Sequence, residues 1–481
     1  MTKLRLRRAA GPPGQPEGID AIAGLPLPEG APVPKPFAEA AAAARFCGRE
    51  GQAVLLSPQG PALLGLGPAP AKPLALEAAG AAALSLPLPG GRALALDARA
   101  LEPAQAARLA VGAALAAWRF DRHRTTAAPE EQRLPPRRLL LLADACEEAA
   151  LAWAREEAAV RGALLARELV AEPANHLTPR AFARRLKALE KHGIKVEVLG
   201  PKRLARRGFG ALLAVGSGAA EGPYLAVLRW PGEIKAPPVA FIGKGLCFDT
   251  GGISIKPVAG MEEMRADMAG AAACAGAMLS LALRRSPAPA VAVLAIAENA
   301  TGAASYRPGD VIRTLSGRTV EVVDTDAEGR LVLADALHHA ATEFAPQAMV
   351  DLATLTGAVV TALGNHRAGL FSSDAPLAAA CAAAGEAVGE HLWELPIGAR
   401  HREDLLSDIA DLKQCVPAGT GRPQPDASHA AAFLREFIGG VPWAHLDIAG
   451  VDTKKDAGPT GFGVRLLDRL VEMQFEDPHR L

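Results

Sequence analysis

Past residue 170 the chain settles into a regular rhythm in which short apolar runs alternate with longer stretches of helical period. Runs at 195–199, 224–228, 239–242, 291–296, 319–323 and 349–352 have the length and β-branched content of strands. Segments 179–191, 266–284, 331–342, 377–388 and 427–437 carry helical periodicity, the first opened by Thr178 as N-cap with Pro179 in its first turn. Such alternation predicts a central mixed or mostly parallel sheet flanked by helices, a large α/β domain over residues 171–481. Upstream, Ala53-Val54-Leu55-Leu56 and Ala62-Leu63-Leu64-Gly65-Leu66 flank a Pro58-Gln59-Gly60 turn. Residues 103–119 read as a helix with a small-residue face, and Leu139-Leu140-Leu141-Leu142 is apolar enough for a buried strand. These elements predict a smaller N-terminal α/β domain over 1–150, whose first thirty or so residues, rich in Pro and Gly, show little periodicity. An alanine-rich helical pattern that ends before Pro173 supplies a linker helix at 151–170.

Composition changes this picture little. Lys and Arg number 52, Asp and Glu also 52, and zero net charge argues against general attraction to nucleic acid or a membrane surface. Arg206-Arg207 and Arg284-Arg285 are local exceptions that could join patches on an oligomer. The six cysteines are scattered without a CxxC pair, as expected of reduced, mostly buried thiols in a reducing compartment. Met1-Thr2-Lys3-Leu4-Arg5-Leu6-Arg7-Arg8 is basic but lacks the apolar core of a secretory signal. No uninterrupted apolar run reaches the ~18–20 residues of a membrane helix. The expectation is a soluble, cytoplasmic protein.

Two stretches interrupt the apolar rhythm with charge. In Val323-Asp324-Thr325-Asp326-Ala327-Glu328-Gly329-Arg330 a β-branched run ends in acidic side chains two apart, at the place where open α/β sheets put their sites. Alone, it reads more readily as an acidic helix start than as a site. The second stretch changes that balance. Val239-Ala240-Phe241-Ile242 leads into a glycine-rich segment, with Lys244 and Asp249 leaving the strand end, Lys256 behind them and Asp267 at the opening of helix 266–284. Phosphate-cradling motifs fail on spacing: GxxxxGK[ST] is absent, and Gly216-Ser217-Gly218 is followed by Glu221 where GxGxxG needs its last glycine. GxSxG and HExxH are absent too, and the adjacent His338 and His339 cannot both face one site from a helix. If the strand ends converge, Asp249, Asp267, Asp326 and Glu328 bring four negative charges into one crevice, which protonation or cations must relieve. Two divalent cations would balance them, and oxygen-rich ligation suits Mg²⁺, Mn²⁺ or Zn²⁺. Such a pair activates water and polarises a carbonyl or phosphoryl group. Lys244 or Lys256 could then stabilise an oxyanion, and Arg330 could hold an anion in its planar fork.

Gly243-Lys244-Gly245, Phe248-Asp249-Thr250-Gly251-Gly252-Ile253-Ser254-Ile255-Lys256-Pro257, Met264-Arg265-Ala266-Asp267-Met268 and Thr325-Asp326-Ala327-Glu328-Gly329-Arg330-Leu331 together resemble the leucyl aminopeptidase family of dinuclear metallopeptidases. The likeness covers most of residues 165–470, with further landmarks at Pro173-Ala174-Asn175, Tyr306-Arg307-Pro308-Gly309-Asp310, Ala353-Thr354-Leu355-Thr356-Gly357-Ala358 and His445-Leu446-Asp447-Ile448-Ala449-Gly450. Arg119-Phe120-Asp121-Arg122 carries a thinner likeness into the N-terminal part. The resemblance implies a metal-dependent exopeptidase that hydrolyses the N-terminal peptide bond of peptides. It implies two divalent ions per subunit, Mn²⁺ or Zn²⁺, with Mg²⁺ a candidate at one site. By it, Asp249 and Glu328 bridge both ions, Lys244 (as a neutral amine) and Asp267 complete the tighter site, and Asp326 completes the more exchangeable one. Lys256 becomes the electrophile at the scissile carbonyl. Arg330 holds a bicarbonate that acts as general base on the bridging water, so that no histidine or spare carboxylate is required. Met264, Thr354, Leu355, Gly357 and Ala449, with Lys256, line the substrate site, Leu355 through its backbone carbonyl. A homohexamer whose sites face an interior cavity is implied as well.

Three places depart from the family pattern. Asp324 stands where asparagine is usual and adds a fifth carboxylate; Asp452 stands where some members carry an apolar residue, against a strict leucine preference. Gly421-Arg422-Pro423-Gln424-Pro425-Asp426 is less glycine-rich than the family's loop and predicts a different shape there. Two other function classes are carried by the residues: a di-metal hydrolase of another substrate class, such as phosphate esters, and a DNA-binding regulator, which the neutral charge disfavours.

Overall fold

A computed structural model describes residues 4–8, 12–17, 21–57, 60–86, 93–126, 138–417, 424–455 and 457–477. Pro58 and Gln59 of the expected N-terminal turn, and Gly421-Arg422-Pro423 of the divergent loop, lie outside the described residues. The chain divides into two compact units, Met1–Val160 and Arg161–Leu481, the division falling within the helix Cys146–Ala171.

In the first unit β1 (Leu4–Arg7), β2 (Ala21–Leu27), β3 (Ala53–Leu55), β4 (Ala62–Gly65), β5 (Ala93–Asp97) and β6 (Leu139–Leu142) form one sheet in the order β1-β6-β5-β2-β4-β3. All neighbours are parallel except the β3–β4 pair. The first thirty residues, which showed no period, contain two of these strands. β2 is buried at five consecutive positions, so it has no polar face to alternate with.

The second unit is built on β7 (Lys195–Leu199), β8 (Tyr224–Trp230), β9 (Val239–Asp249), β10 (Ala290–Asn299), β11 (Val311–Arg313), β12 (Thr319–Glu321), β13 (Ala348–Ala353), β14 (Ala368–Ser372), β15 (Leu392–Glu394), β16 (Leu412–Lys413) and β17 (Trp443–Asp447). Eight of them make the central sheet, β15-β14-β17-β13-β9-β10-β8-β7. Its middle is parallel (β17, β13, β9 and β10), β8 runs against both β10 and β7, and β14 runs against β17 but parallel to β15, so the sheet is mixed as expected. Ala240, Ile242 and Leu246 on one face of β9 share a core with Leu331, Val332 and Ala336 of the helix Glu328–Phe344. On the other face Gly243 meets the helix Ala269–Leu283 so closely that a Cβ would stand 2.5 Å from Ala271 Cα.

That last helix is apolar on every side and buried along its length. Together with the 3₁₀ turn Met261–Ala266 it is long and apolar enough to cross a membrane by length and composition, a segment the search for uninterrupted runs passed over. With 89% of its most apolar window buried, it is the core helix of the sheet.

Four expectations about the charged segments need correction. The strand predicted at 239–242 continues to Asp249, so Lys244 and Asp249 lie on it and do not leave its end. Gly243 and Gly245 looked like loop residues, whereas Gly243 is there for helix packing. The β-branched run at 319–323 belongs to a separate three-stranded sheet, β11-β12-β16, and not to the central one. Finally, Asp267 precedes its helix, and Glu328 is the first residue of the next one.

Candidate active site

Lys244 and Asp249 are five residues apart, and on a regular strand an odd separation sends side chains to opposite faces. The pairing of β9 with β10 shifts between Leu246 opposite Ala297 and Asp249 opposite Asn299, three residues of β9 against two of β10. This one-residue bulge restores parity. Lys244 Nζ lies 2.8 Å from Glu328 Oε1, and carboxylate oxygens of Asp249, Asp326 and Glu328 gather within 4.8 Å of one another. Asp326 and Glu328 do not converge along extended chain, as their spacing suggested, but by a turn into the first residue of a helix.

Buried polar contacts tie the two acidic segments together. Asn299 Nδ2 donates to Asp249 Oδ1 at 2.7 Å and to the Thr325 carbonyl at 3.0 Å, and Tyr306 donates to the same carbonyl at 2.8 Å. Thr325 Oγ1 donates to the Gly251 carbonyl at 2.6 Å and accepts from Ser254 N at 2.8 Å. Asp324 Oδ1 accepts from Asp326 N at 2.9 Å and fixes the turn, and the residue also lines the cavity beside the cluster. Lys244 Nζ is also 2.8 Å from Asp267 Oδ1 and donates to the Thr354 carbonyl at 2.9 Å, while Thr354 Oγ1 donates to Asp267 at 2.7 Å. Gly329 makes room for the lysine, since a Cβ there would stand 2.7 Å from Lys244 Cε. Lys256 Nζ sits 2.9 Å from Asp249 Oδ2 and against Asp326.

Four carboxylates thus face two ammonium groups, and the surplus negative charge appears in their titration. Burial, reinforced by Glu328 and Asp249, pushes Asp326 up to about 7. Burial raises Asp267, opposed by Lys244, and burial with Asp249 raises Glu328. Burial alone would lower the Lys244 ammonium, but Asp267, Glu328 and Asp249 outweigh it and hold it protonated. Asp267 Oδ2 and Glu328 Oε2 are buried without a hydrogen-bond partner. Open carboxylate oxygens, excess negative charge and an amine that can ligate once deprotonated are what a pair of divalent cations requires, so the residues fit such ions.

A cavity of about 340 Å³ opens beside the cluster, lined by Lys256, Asp326, Arg330, Leu355, Asp426 and His429 among others. Gly357 also lines it. Of the remaining predicted substrate residues, Thr354 touches the cluster as described, whereas Met264 and Ala449 are half-buried and stand outside this cavity wall. Asp452 is held by Thr453 Oγ1 at 3.0 Å, likewise away from the wall. His338 and His339 take no part; His339 packs edge-on against Phe209 and Phe344. The sequence reading named Asp426 only as part of the divergent loop, gave it no role, and passed over His429. It gave no role to Asp447, quoted only within the 445–450 landmark, whose carboxylate accepts from Leu355 N at 3.0 Å and Thr356 Oγ1 at 2.7 Å and so fixes the 354–357 turn.

An α/β sheet ending in a carboxylate–lysine cluster suited to divalent cations, beside a cavity of small-ligand size, defines a metal-dependent hydrolase. Comparison with known proteins narrows the class. The catalytic-domain profile of the cytosol aminopeptidase family matches residues 164–468. A probable cytosol aminopeptidase of Caulobacter vibrioides is 44% identical over 457 residues, 92% of this chain and 91% of its own. One from Rhizobium etli is 44% identical over 478 residues, 95% and 94% of the two chains. Among solved structures, the bottromycin maturation enzyme BotP in complex with Mn superposes with a TM-score of 0.84 at 35% identity, covering 94% of this chain and 99% of its own. The chain belongs to the cytosol aminopeptidase family, and it is a metal-dependent aminopeptidase of the leucyl type.

Proposed function

We propose that Asp249, Asp267, Asp326, Glu328 and Lys244 hold two divalent cations, Mn²⁺ or Zn²⁺ with Mg²⁺ a candidate at one site, and that the enzyme removes N-terminal residues from cytoplasmic peptides. The observation that carries this reading is the gathering of Asp249, Asp326 and Glu328 oxygens within 4.8 Å beside Lys244. The Mn named with BotP supports the choice of metal. When bound, such a pair polarises the scissile carbonyl and lowers the pKa of a water between them. Lys244 must give up its proton to serve as a ligand. Lys256, at the open edge of the cluster, places its ammonium on the oxyanion that develops at the carbonyl. Arg330 fixes a carboxylate-bearing base beside the attacking water, the place that the sequence resemblance gives to bicarbonate. Leu355 and Gly357, which line the cavity, contact the substrate in this reading, and the resemblance adds Met264, Thr354 and Ala449 to the substrate site. A homohexamer is the assembly we expect from the resemblance.

The test is hydrolysis of aminoacyl-amides and short peptides with Mn²⁺ or Zn²⁺, repeated after exhaustive chelation and with the substrate's α-amine acetylated. Turnover should vanish on chelation, return with metal, and be absent for the blocked substrates. Chelation-insensitive hydrolysis would overturn the proposal.

A further inference from the structure

The Arg330 guanidinium is 3% exposed and engaged on two sides. Nη1 donates to the Gln414 carbonyl at 2.9 Å and Nη2 to Asp426 Oδ1 at 2.9 Å, while the buried Nε has no partner. Nε and Nη2 form the edge of the fork that takes a carboxylate by two parallel hydrogen bonds. Half of that edge is already held by a carboxylate of the chain itself, so an external anion would have to displace it. Asp426 opens the helix Asp426–Arg435, where an acid is favourable in any case, but a helix start does not require a buried arginine across from it. Asp426 also lines the cavity that Lys256 and Asp326 border, with its side chain 40% exposed. One turn along the same helix face, His429 is buried on that wall. Its Nε2 lies 3.0 Å from Asp404 Oδ2, and its Nδ1 has no partner.

We propose that Asp426 is the general base of this enzyme, occupying on Arg330 the place of an external bicarbonate, which the reaction then does not need. The inference rests on the aminopeptidase reading of the cluster. As the water oxygen bonds to the scissile carbonyl carbon, the Asp426 carboxylate takes the water proton. As the C–N bond breaks, that proton passes to the departing amine nitrogen, and Asp426 returns to its ionised form. Arg330 orients the carboxylate throughout.

The metal-loaded enzyme is assayed in buffers stripped of carbon dioxide and with bicarbonate restored, and binding of isotope-labelled bicarbonate is followed by NMR. Wild type should turn over equally in both buffers and show no bicarbonate binding. Asp426→Ala should lose about a hundredfold or more in kcat, the usual worth of a positioned base, then bind bicarbonate and recover rate with it. Asp426→Glu should keep part of the activity without bicarbonate. Wild-type turnover that falls when bicarbonate is stripped, or Asp426→Ala at near wild-type rate in stripped buffer, would overturn the assignment, and the wild-type comparison stands even if the alanine variant does not fold. Absence of wild-type peptidase activity in both buffers would instead count against the aminopeptidase reading beneath it.

Discussion

Replacing Gly329 with alanine probes how closely Lys244 must approach the acidic cluster. A Cβ at this position would stand 2.7 Å from Lys244 Cε, 2.8 Å from its Nζ and 2.9 Å from Leu355 Cδ1. Carbon–carbon contacts prefer about 3.5–4.0 Å, so something must move by ~0.5–1 Å. Leu355 can turn aside, but the lysine is pinned by Asp267 and Glu328 at 2.8 Å and by the Thr354 carbonyl at 2.9 Å. Overpacking of this kind costs about 1–3 kcal/mol, and alanine in place of a helical glycine returns up to ~1 kcal/mol. The net loss of stability, about 0–3 kcal/mol, leaves the fold intact at room temperature. The chemistry is less tolerant, because ~1 Å of misplacement near reacting groups is worth about a hundredfold in rate. Gly329→Ala should therefore melt within several degrees of wild type, retain less metal after dialysis, and lose about two orders of magnitude in kcat/KM. Thermal unfolding, metal analysis and steady-state kinetics read the three effects separately. Wild-type turnover with full metal content would refute the argument that the glycine exists to admit the lysine.

Two further outcomes follow from the same geometry. Lys256→Ala should lower kcat about 10²–10³-fold, the cost of one oxyanion donor, while metal content is retained; near-normal turnover would remove the lysine from the chemistry. Asp335 is fully buried, accepts from Leu212 N at 3.0 Å and Leu315 N at 2.7 Å, and is pushed by burial from 3.8 up to about 7. The folded state therefore binds this proton more tightly than the unfolded chain, so its stabilisation is full below pH ~4 and is lost as pH rises through about 7. The stability of wild type relative to Asp335→Asn should fall by about 2–3 kcal/mol between pH ~5 and ~7.5 in denaturant titrations, and a pH-independent difference would contradict this.

The acidic motifs were legible because each is a run of charged and glycine residues set in an apolar background. Their convergence was not. The bulge that brings Lys244 and Asp249 to one side is a feature of pairing between β9 and β10, and no local pattern records it. The strand through Gly243 and Gly245 was cut short because glycine in sequence signals a turn, whereas Gly243 answers to a helix packed on the sheet. Thr319–Glu321 has the composition of any central strand, and only its partners β11 and β16 reveal a separate sheet. β2 was missed because burial on both faces erases alternation. Asp426 was visible in sequence only as the end of a divergent loop, because its importance comes from Arg330, 96 residues away along the chain.

β9 joins two roles in one stretch of backbone. Its first half, Val239–Ile242, is buried at the middle of the central sheet between β13 and β10, and its second half carries Lys244 and Asp249. Local opening around those two side chains must break the same hydrogen-bond ladders that hold the unit together, so its free energy approaches that of global unfolding. A centre assembled from loops can soften well before its protein melts. Lys244 and Asp249 stand on such a ladder, so the expected outcome on heating is that their arrangement and the fold of this unit are lost in a single cooperative event.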